Sequence, residues 1–106
     1  MEQRARVLFV DDEERIVKLL HMIFRQKYEV LTASDGQKAL ELVKNQKIDV
    51  VVSDQRMPRM QGHELLAEVK KVSPHTVRVL LTGYTDLVSI IGAINEGEVY
   101  RFLNKP

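Results

Sequence analysis

A run of apolar β-branched residues, Ile48 and Val50 to Val52 interrupted only by Asp49, ends abruptly in Ser53, Asp54 and a loop containing Pro58. Such a run suits a strand buried on both faces, as in a parallel sheet with helices on either side. In open sheets of that kind the ligand sits just past the carboxyl ends of the strands. Asp54 therefore stands where such folds do their chemistry.

The chain around this strand alternates strand and helix signals. Arg6 to Val10 is a short apolar run that stops at Asp11-Asp12-Glu13-Glu14, whose carboxylates favour the positive end of a following helix. From Glu13 to about Gln26, the residues Ile16, Leu19, Leu20, Ile23 and Phe24 recur at three- and four-residue spacing and form an apolar stripe. Tyr28 to Thr32 predicts a second strand. Ser34 as N-cap with Gln37 three residues on predicts a capping box, opening a helix that carries Ala39, Leu40 and Val43 to about Gln46. The third strand is Ile48 to Ser53, delivering Asp54. Pro58 prevents a helix through Gln55 to Gln61, and Gly62 ends that loop. Glu64 to Val72 predicts a third helix, Val77 to Leu81 a fourth strand, Asp86 to Asn95 a fourth helix, and Val99 to Leu103 a fifth strand.

Five strands alternating with four helices through short connections require right-handed crossovers and a parallel sheet. A doubly wound order of 2-1-3-4-5 places strands one and three side by side where the order reverses, bringing Asp11 and Asp12 next to Asp54. The 106 residues suffice for one domain, residues 1–106, with one core. A formal charge of +1, with basic residues scattered along the chain, excludes a strong electrostatic case for direct nucleic-acid binding. The absence of cysteine rules out a disulfide framework and thiolate metal sites. No apolar run approaches a membrane span, so a soluble cytoplasmic domain with no membrane partner is expected.

Three carboxylates converging at one point repel one another and call for a cation. Oxygen-only ligands select a hard ion, and Mg²⁺, which keeps several waters and completes its shell with phosphate oxygens, suits the set. Thr82 and Lys105, at the ends of strands four and five, would flank the same point with a hydroxyl donor and a positive charge. The residues thus describe a phosphoryl-transfer site with an aspartate nucleophile. Taken singly, Asp11 and Asp12 could be helix caps and Asp54 a turn former. Their common placement at carboxyl ends of predicted strands decides otherwise. His21, His63 and His75 are isolated and read as surface residues, and Met57 and Met60 as loop packing.

The motifs Phe9-Val10-Asp11-Asp12-Glu13, Ser53-Asp54-Gln55-Arg56-Met57-Pro58, Leu81-Thr82-Gly83 and Phe102-Leu103-Asn104-Lys105-Pro106 together resemble the receiver domain of two-component response regulators, with its flavodoxin-like α/β fold. The resemblance implies that Asp54 accepts a phosphoryl group from a sensor histidine kinase. It implies Mg²⁺ bound by Asp12 and Asp54, by Asp11 partly through water, and by the backbone carbonyl of Arg56. Thr82 would hydrogen-bond the phosphoryl group, Lys105 would pair with it, and Phe102 would be the switch aromatic. Gln55 and Tyr84 are expected to modulate the site, Arg56 and Tyr84 to shield it from water, and the Lys105-Pro106 bond to be cis. The output would be a change of surface that controls an output domain in cis, in keeping with a regulatory domain that catalyses only its own phosphorylation and dephosphorylation.

Receivers close with a fifth helix, which this chain lacks after Pro106. One sheet face and residues such as Ile90, Ile91 or Ile94 are then expected to be uncovered, lowering stability and favouring a homodimer. The sets Asp54-Gln55-Arg56, Thr82-Gly83-Tyr84 and Arg101-Phe102 look like receivers joined to hydrogenase-type transcriptional activators or to HD-GYP phosphodiesterases. Three other classes fit less well. A haloacid-dehalogenase-like phosphohydrolase wants a carboxylate where Arg56 stands. A flavin carrier wants a phosphate loop where Asp11 to Glu14 stand. A receiver-like module that only binds partners would not need the full set of Asp11, Asp12, Asp54, Thr82 and Lys105.

Overall fold

The computed structural model describes residues 4–83 and the main chain of residues 101–104. The elements are β1 (Arg6–Val10), α1 (Glu14–Phe24), β2 (Glu29–Ala33), α2 (Gly36–Asn45), β3 (Val50–Asp54), α3 (Gly62–Val72), β4 (Val77–Thr82) and β5 (Arg101–Asn104). All strand pairs are parallel and the spatial order is β2-β1-β3-β4-β5, as expected. The fourth helix expected at 86–95, with Ile90, Ile91 and Ile94, lies outside the described residues. So do Tyr84, Lys105, the Lys105-Pro106 bond and the side chain of Phe102.

In-register pairing sorts the sheet into two faces, because successive residues of a strand point to opposite sides. Leu8 pairs with Val51, and Val10 with Ser53, which pairs in turn with Leu80. These residues face α2 and α3, where Ala39, Leu40, Val43, Leu65, Leu66 and Val69 complete one buried cluster. Leu8, Val51, Leu65, Leu66, Val69 and Leu80 are wholly inaccessible, and each such side chain contributes about 1.5–3 kcal/mol by leaving water. On the other face Phe9 stacks on Phe24 of α1 with ring centroids 5.4 Å apart, and Phe24 meets Tyr28 at 6.2 Å.

The two faces are not buried alike. Val51 and Ser53 are buried, whereas Val50 and Val52 are only half-buried, so β3 departs from the symmetric burial its composition suggests. The expected α1 stripe is likewise divided: Ile16, Leu20 and Phe24 are half-buried, Leu19 and Ile23 remain 52% and 58% exposed, and the buried residue of the helix is Val17, outside that stripe.

Several boundaries move, each for a visible reason. The N-cap of α2 is Asp35 rather than Ser34, since Asp35 Oδ1 accepts from the Lys38 amide at 2.8 Å. Ser34 instead accepts from the Lys38 ammonium at 3.2 Å. α3 begins at Gly62, two residues before the expected Glu64, because Glu64 Oε1 accepts from the amide of Gln61 at 3.0 Å, the return half of a capping box. β3 retains Asp54 within the ladder: Asp54 pairs with Leu81, and the next amide, of Gln55, still donates to the Leu81 carbonyl at 3.0 Å.

Candidate functional site

β1 and β3 are neighbours at the point where the strand order reverses, so their carboxyl ends open into one crevice. Asp11 follows the last residue of β1 and Asp54 is the last residue of β3. One carboxylate oxygen from each of Asp11, Asp12 and Asp54 lies within 4.8 Å of the other two. Asp11 and Asp54 are buried and Asp12 is exposed, so the cluster has a deep floor and an open side.

The turn that presents these groups is built locally. Asp11 Oδ1 accepts from the amide of Glu13 at 2.9 Å, and the Asp11 amide donates to the Ala33 carbonyl at 3.2 Å. Asp11 thus fixes the turn that precedes α1 without capping the helix, and its carboxylate also faces Asp54. Glu13, the N-cap itself, makes no side-chain cap.

The donor set fits a divalent cation. Octahedral Mg²⁺ holds oxygens at about 2.0–2.1 Å, which puts its ligands roughly 3–4 Å from one another. Oxygens within 4.8 Å of one another are close enough for two direct carboxylate ligands and a third acting through water. All three donors are hard oxygen anions whose mutual repulsion a cation relieves.

The loop from Gln55 to Gln61 is held on both sides. Gln55 and Met57 are buried while Arg56 and Arg59 are exposed, and Met57 belongs to the α2–α3 core, as loop packing predicts. The loop closes where the Gly62 amide donates to the Gln55 carbonyl at 3.0 Å. Arg59 has a φ of +70°, and the Met60 amide donates across it to the Pro58 carbonyl at 2.8 Å, a γ-turn of the positive-φ kind. Opposite the loop, the start of α2 presents Gly36, where a Cβ would lie 2.7 Å from Met60 Sδ, and Asp35, whose Oδ2 is 3.7 Å from Arg59 Nη2.

Thr82 closes β4 wholly buried, one residue beyond the Leu81 that pairs with Asp54, and Asn104 of β5 pairs with it. The expected site residues Asp11, Asp12, Asp54, Gln55, Arg56 and Thr82 therefore all stand at the carboxyl edge of the sheet or on the loop after β3. Phe102 is placed only through its main chain, opposite Leu80. His63, which reads from the sequence as a surface residue, is instead half-buried. Its amide donates to Gln55 Oε1 at 2.9 Å, and its Nδ1 lies 2.8 Å from Gln55 Nε2. Nothing in the sequence marks this contact, because the two residues are eight apart across an irregular loop.

Residues 7–106 match the family described as response regulator receiver domain. The hydrogenase transcriptional regulatory protein HoxA of Cupriavidus necator is 39% identical over 105 residues, covering 99% of this chain and 22% of that protein. The transcriptional regulatory protein GlrR of Escherichia coli is 37% identical over 103 residues, covering 96% and 23%. Among solved structures, the signal receiver domain of an HD domain-containing protein from Pseudomonas fluorescens Pf-5 superposes with a TM-score of 0.88 at 40% identity, covering 100% of this chain and 79% of that one. The chain thus spans about a fifth of the length of these two regulators.

Proposed function

The chain belongs to the response regulator receiver domain family, and on that premise we propose that Asp54 accepts a phosphoryl group from the phosphohistidine of a sensor kinase. Members of this family are regulatory phospho-acceptor domains of two-component systems rather than classical enzymes, and the family binds Mg²⁺ at an acidic pocket. The observation that carries the residue-level reading is the convergence of Asp11, Asp12 and Asp54 at the switch point of the sheet.

In the proposed reaction a carboxylate oxygen of Asp54 attacks phosphorus in line. The P–N bond to the kinase imidazole breaks, and that ring leaves with its electron pair and takes up a proton. Mg²⁺ held by Asp12, Asp54 and the main-chain carbonyl of Arg56, with Asp11 acting through water, would supply charge neutralisation for the phosphoryl oxygens. The buried Thr82 hydroxyl donates to the transferred group and Lys105 pairs with it. Burial of Asp54 limits the access of bulk water to the acyl phosphate. The matched regulators are four to five times longer than this chain, which supports an output domain in cis, transcriptional in type, governed by the surface that Thr82 and Phe102 reshape.

The test is incubation with Mg²⁺ and a small acyl phosphate, followed by intact mass. One phosphate should be added to the wild type and none to Asp54→Asn, which should fold as well as the wild type because one of three repelling carboxylates is gone. Uptake by a folded Asp54→Asn would move the nucleophile elsewhere. No uptake by the wild type would favour a module that only binds partners.

A further inference from the structure

Gln55, next to the acceptor, is 3% exposed, and among the described residues its side-chain bonds run to the start of α3. Their geometry leaves no freedom. The His63 amide can only donate, so the Gln55 atom 2.9 Å from it is the carbonyl oxygen Oε1. That orientation turns the Nε2 amide group toward His63 Nδ1 at 2.8 Å, with Gln61 Oε1 a second acceptor at 3.4 Å. An amide nitrogen only donates, so Nδ1 must accept and the ring must carry its proton on Nε2. One backbone N–H thereby sets both the orientation of an amide and the tautomer of a histidine.

The main chain of Gln55 is tied as closely. Its amide donates to Leu81 of β4, and its carbonyl accepts from Gly62 of α3. The carbonyl oxygen of Asp54 rests against Gly62 so tightly that a Cβ there would lie 2.2 Å away. Residue 55 is therefore the joint where the acceptor strand, the strand bearing Thr82 and the helix after the loop meet. Without its side chain, the His63 amide in the first turn of α3 and the His63 ring would both lose their partners.

We propose that Gln55 and His63 form a positioning pair for phosphoryl transfer: the neutral His63 ring, held through Nδ1, locks the Gln55 amide and with it the aim of the Asp54 carboxylate and the Arg56 carbonyl. The role in transfer rests on Asp54 being the acceptor, whereas the lock itself does not. A residue that merely filled space could be replaced by one of equal size. A lock through Nδ1 requires an acceptor at that position.

Nitrogen-15 NMR of the imidazoles tests the lock directly, and His63 should show a single Nε2–H tautomer at neutral pH. A ring protonated on Nδ1, or one exchanging between tautomers as the exposed His75 is expected to, would overturn it. Uptake of phosphate from a small acyl phosphate in Mg²⁺ then tests the role. His63→Asn, whose Oδ1 can stand near the Nδ1 position, should stay within about threefold of the wild-type rate. His63→Phe and Gln55→Leu, compared by circular dichroism to confirm folding, should fall at least tenfold. A folded His63→Phe that takes up phosphate at the wild-type rate refutes the positioning role. Failure of the wild type itself to take up phosphate would instead refute the reading of Asp54, and this role with it.

Discussion

Gly62→Ala separates two physical arguments that predict opposite signs. Gly62 lies in the first turn of α3, where intrinsic helix preference favours alanine by about 0.5–1 kcal/mol. The space around it says otherwise, since a Cβ would lie 2.2 Å from the Asp54 carbonyl oxygen and 2.8 Å from Leu80 Cδ1. Retreating from 2.2 Å to the 3.0 Å below which real Cβ contacts essentially never fall means a shift of about 0.8 Å. The Gly62-to-Gln55 and His63-to-Gln55 hydrogen bonds, at 3.0 and 2.9 Å, would stretch beyond use over that distance. Overpacking costs about 1–3 kcal/mol and an orphaned buried donor a similar amount, so after the helix preference is subtracted the variant should be destabilised by roughly 1–5 kcal/mol. For a domain of this size that corresponds to a fall in Tm of roughly 5–30 °C. Urea unfolding followed by circular dichroism measures the free energy, and a melt gives the second estimate. Leu80→Ala in the same background removes only the side-chain clash and should not restore the loss, because the carbonyl oxygen stays. A Gly62→Ala variant as stable as the wild type, or more stable, would show that the acceptor strand and α3 are not pressed together as described.

Asp35→Ala should cost about 1 kcal/mol through loss of the α2 cap, whereas Ser34→Ala should cost little, and paired urea titrations would separate the two. Arg59→Gly should leave stability unchanged or raise it by up to about 1 kcal/mol, since the positive φ costs arginine more than glycine. The ion pair it gives up, at 3.7 Å from a side chain 82% exposed, contributes little. A loss above about 1 kcal/mol in the same titration would mean that the arginine side chain, and not the turn, holds the loop.

The sheet was legible because β1 to β4 are apolar runs ended by a charged or hydroxyl residue, and α1 to α3 carry three- and four-residue spacing. The carboxylate cluster was legible for a topological reason: parallel order puts the ends of β1 and β3 side by side whatever their side chains do. What could not be read was fixed by contacts between segments far apart in sequence. Asp35 rather than Ser34 caps α2, where the helix start meets Met60 and Arg59. His63 looked solitary because its partner lies across a loop whose path depends on Met57 entering the core. The uneven burial of β3 was likewise hidden, since composition reports that a strand is apolar but not how thoroughly each face is covered.

The strand order also has a consequence for how the chain assembles. β1 pairs with β2 over a separation of 23 residues, as in Arg6 with Glu29, but with β3 over 43, as in Val7 with Val50. Local pairing is the faster event, because closing a longer loop costs more entropy before any contact repays it. A chain emerging in order can therefore form the β1-α1-β2 unit while Asp54 is still remote from Asp11 and Asp12. The three negative charges meet only when β3 inserts beside β1, so their repulsion is deferred to a step in which Val51 and Leu8 are already burying surface to offset it.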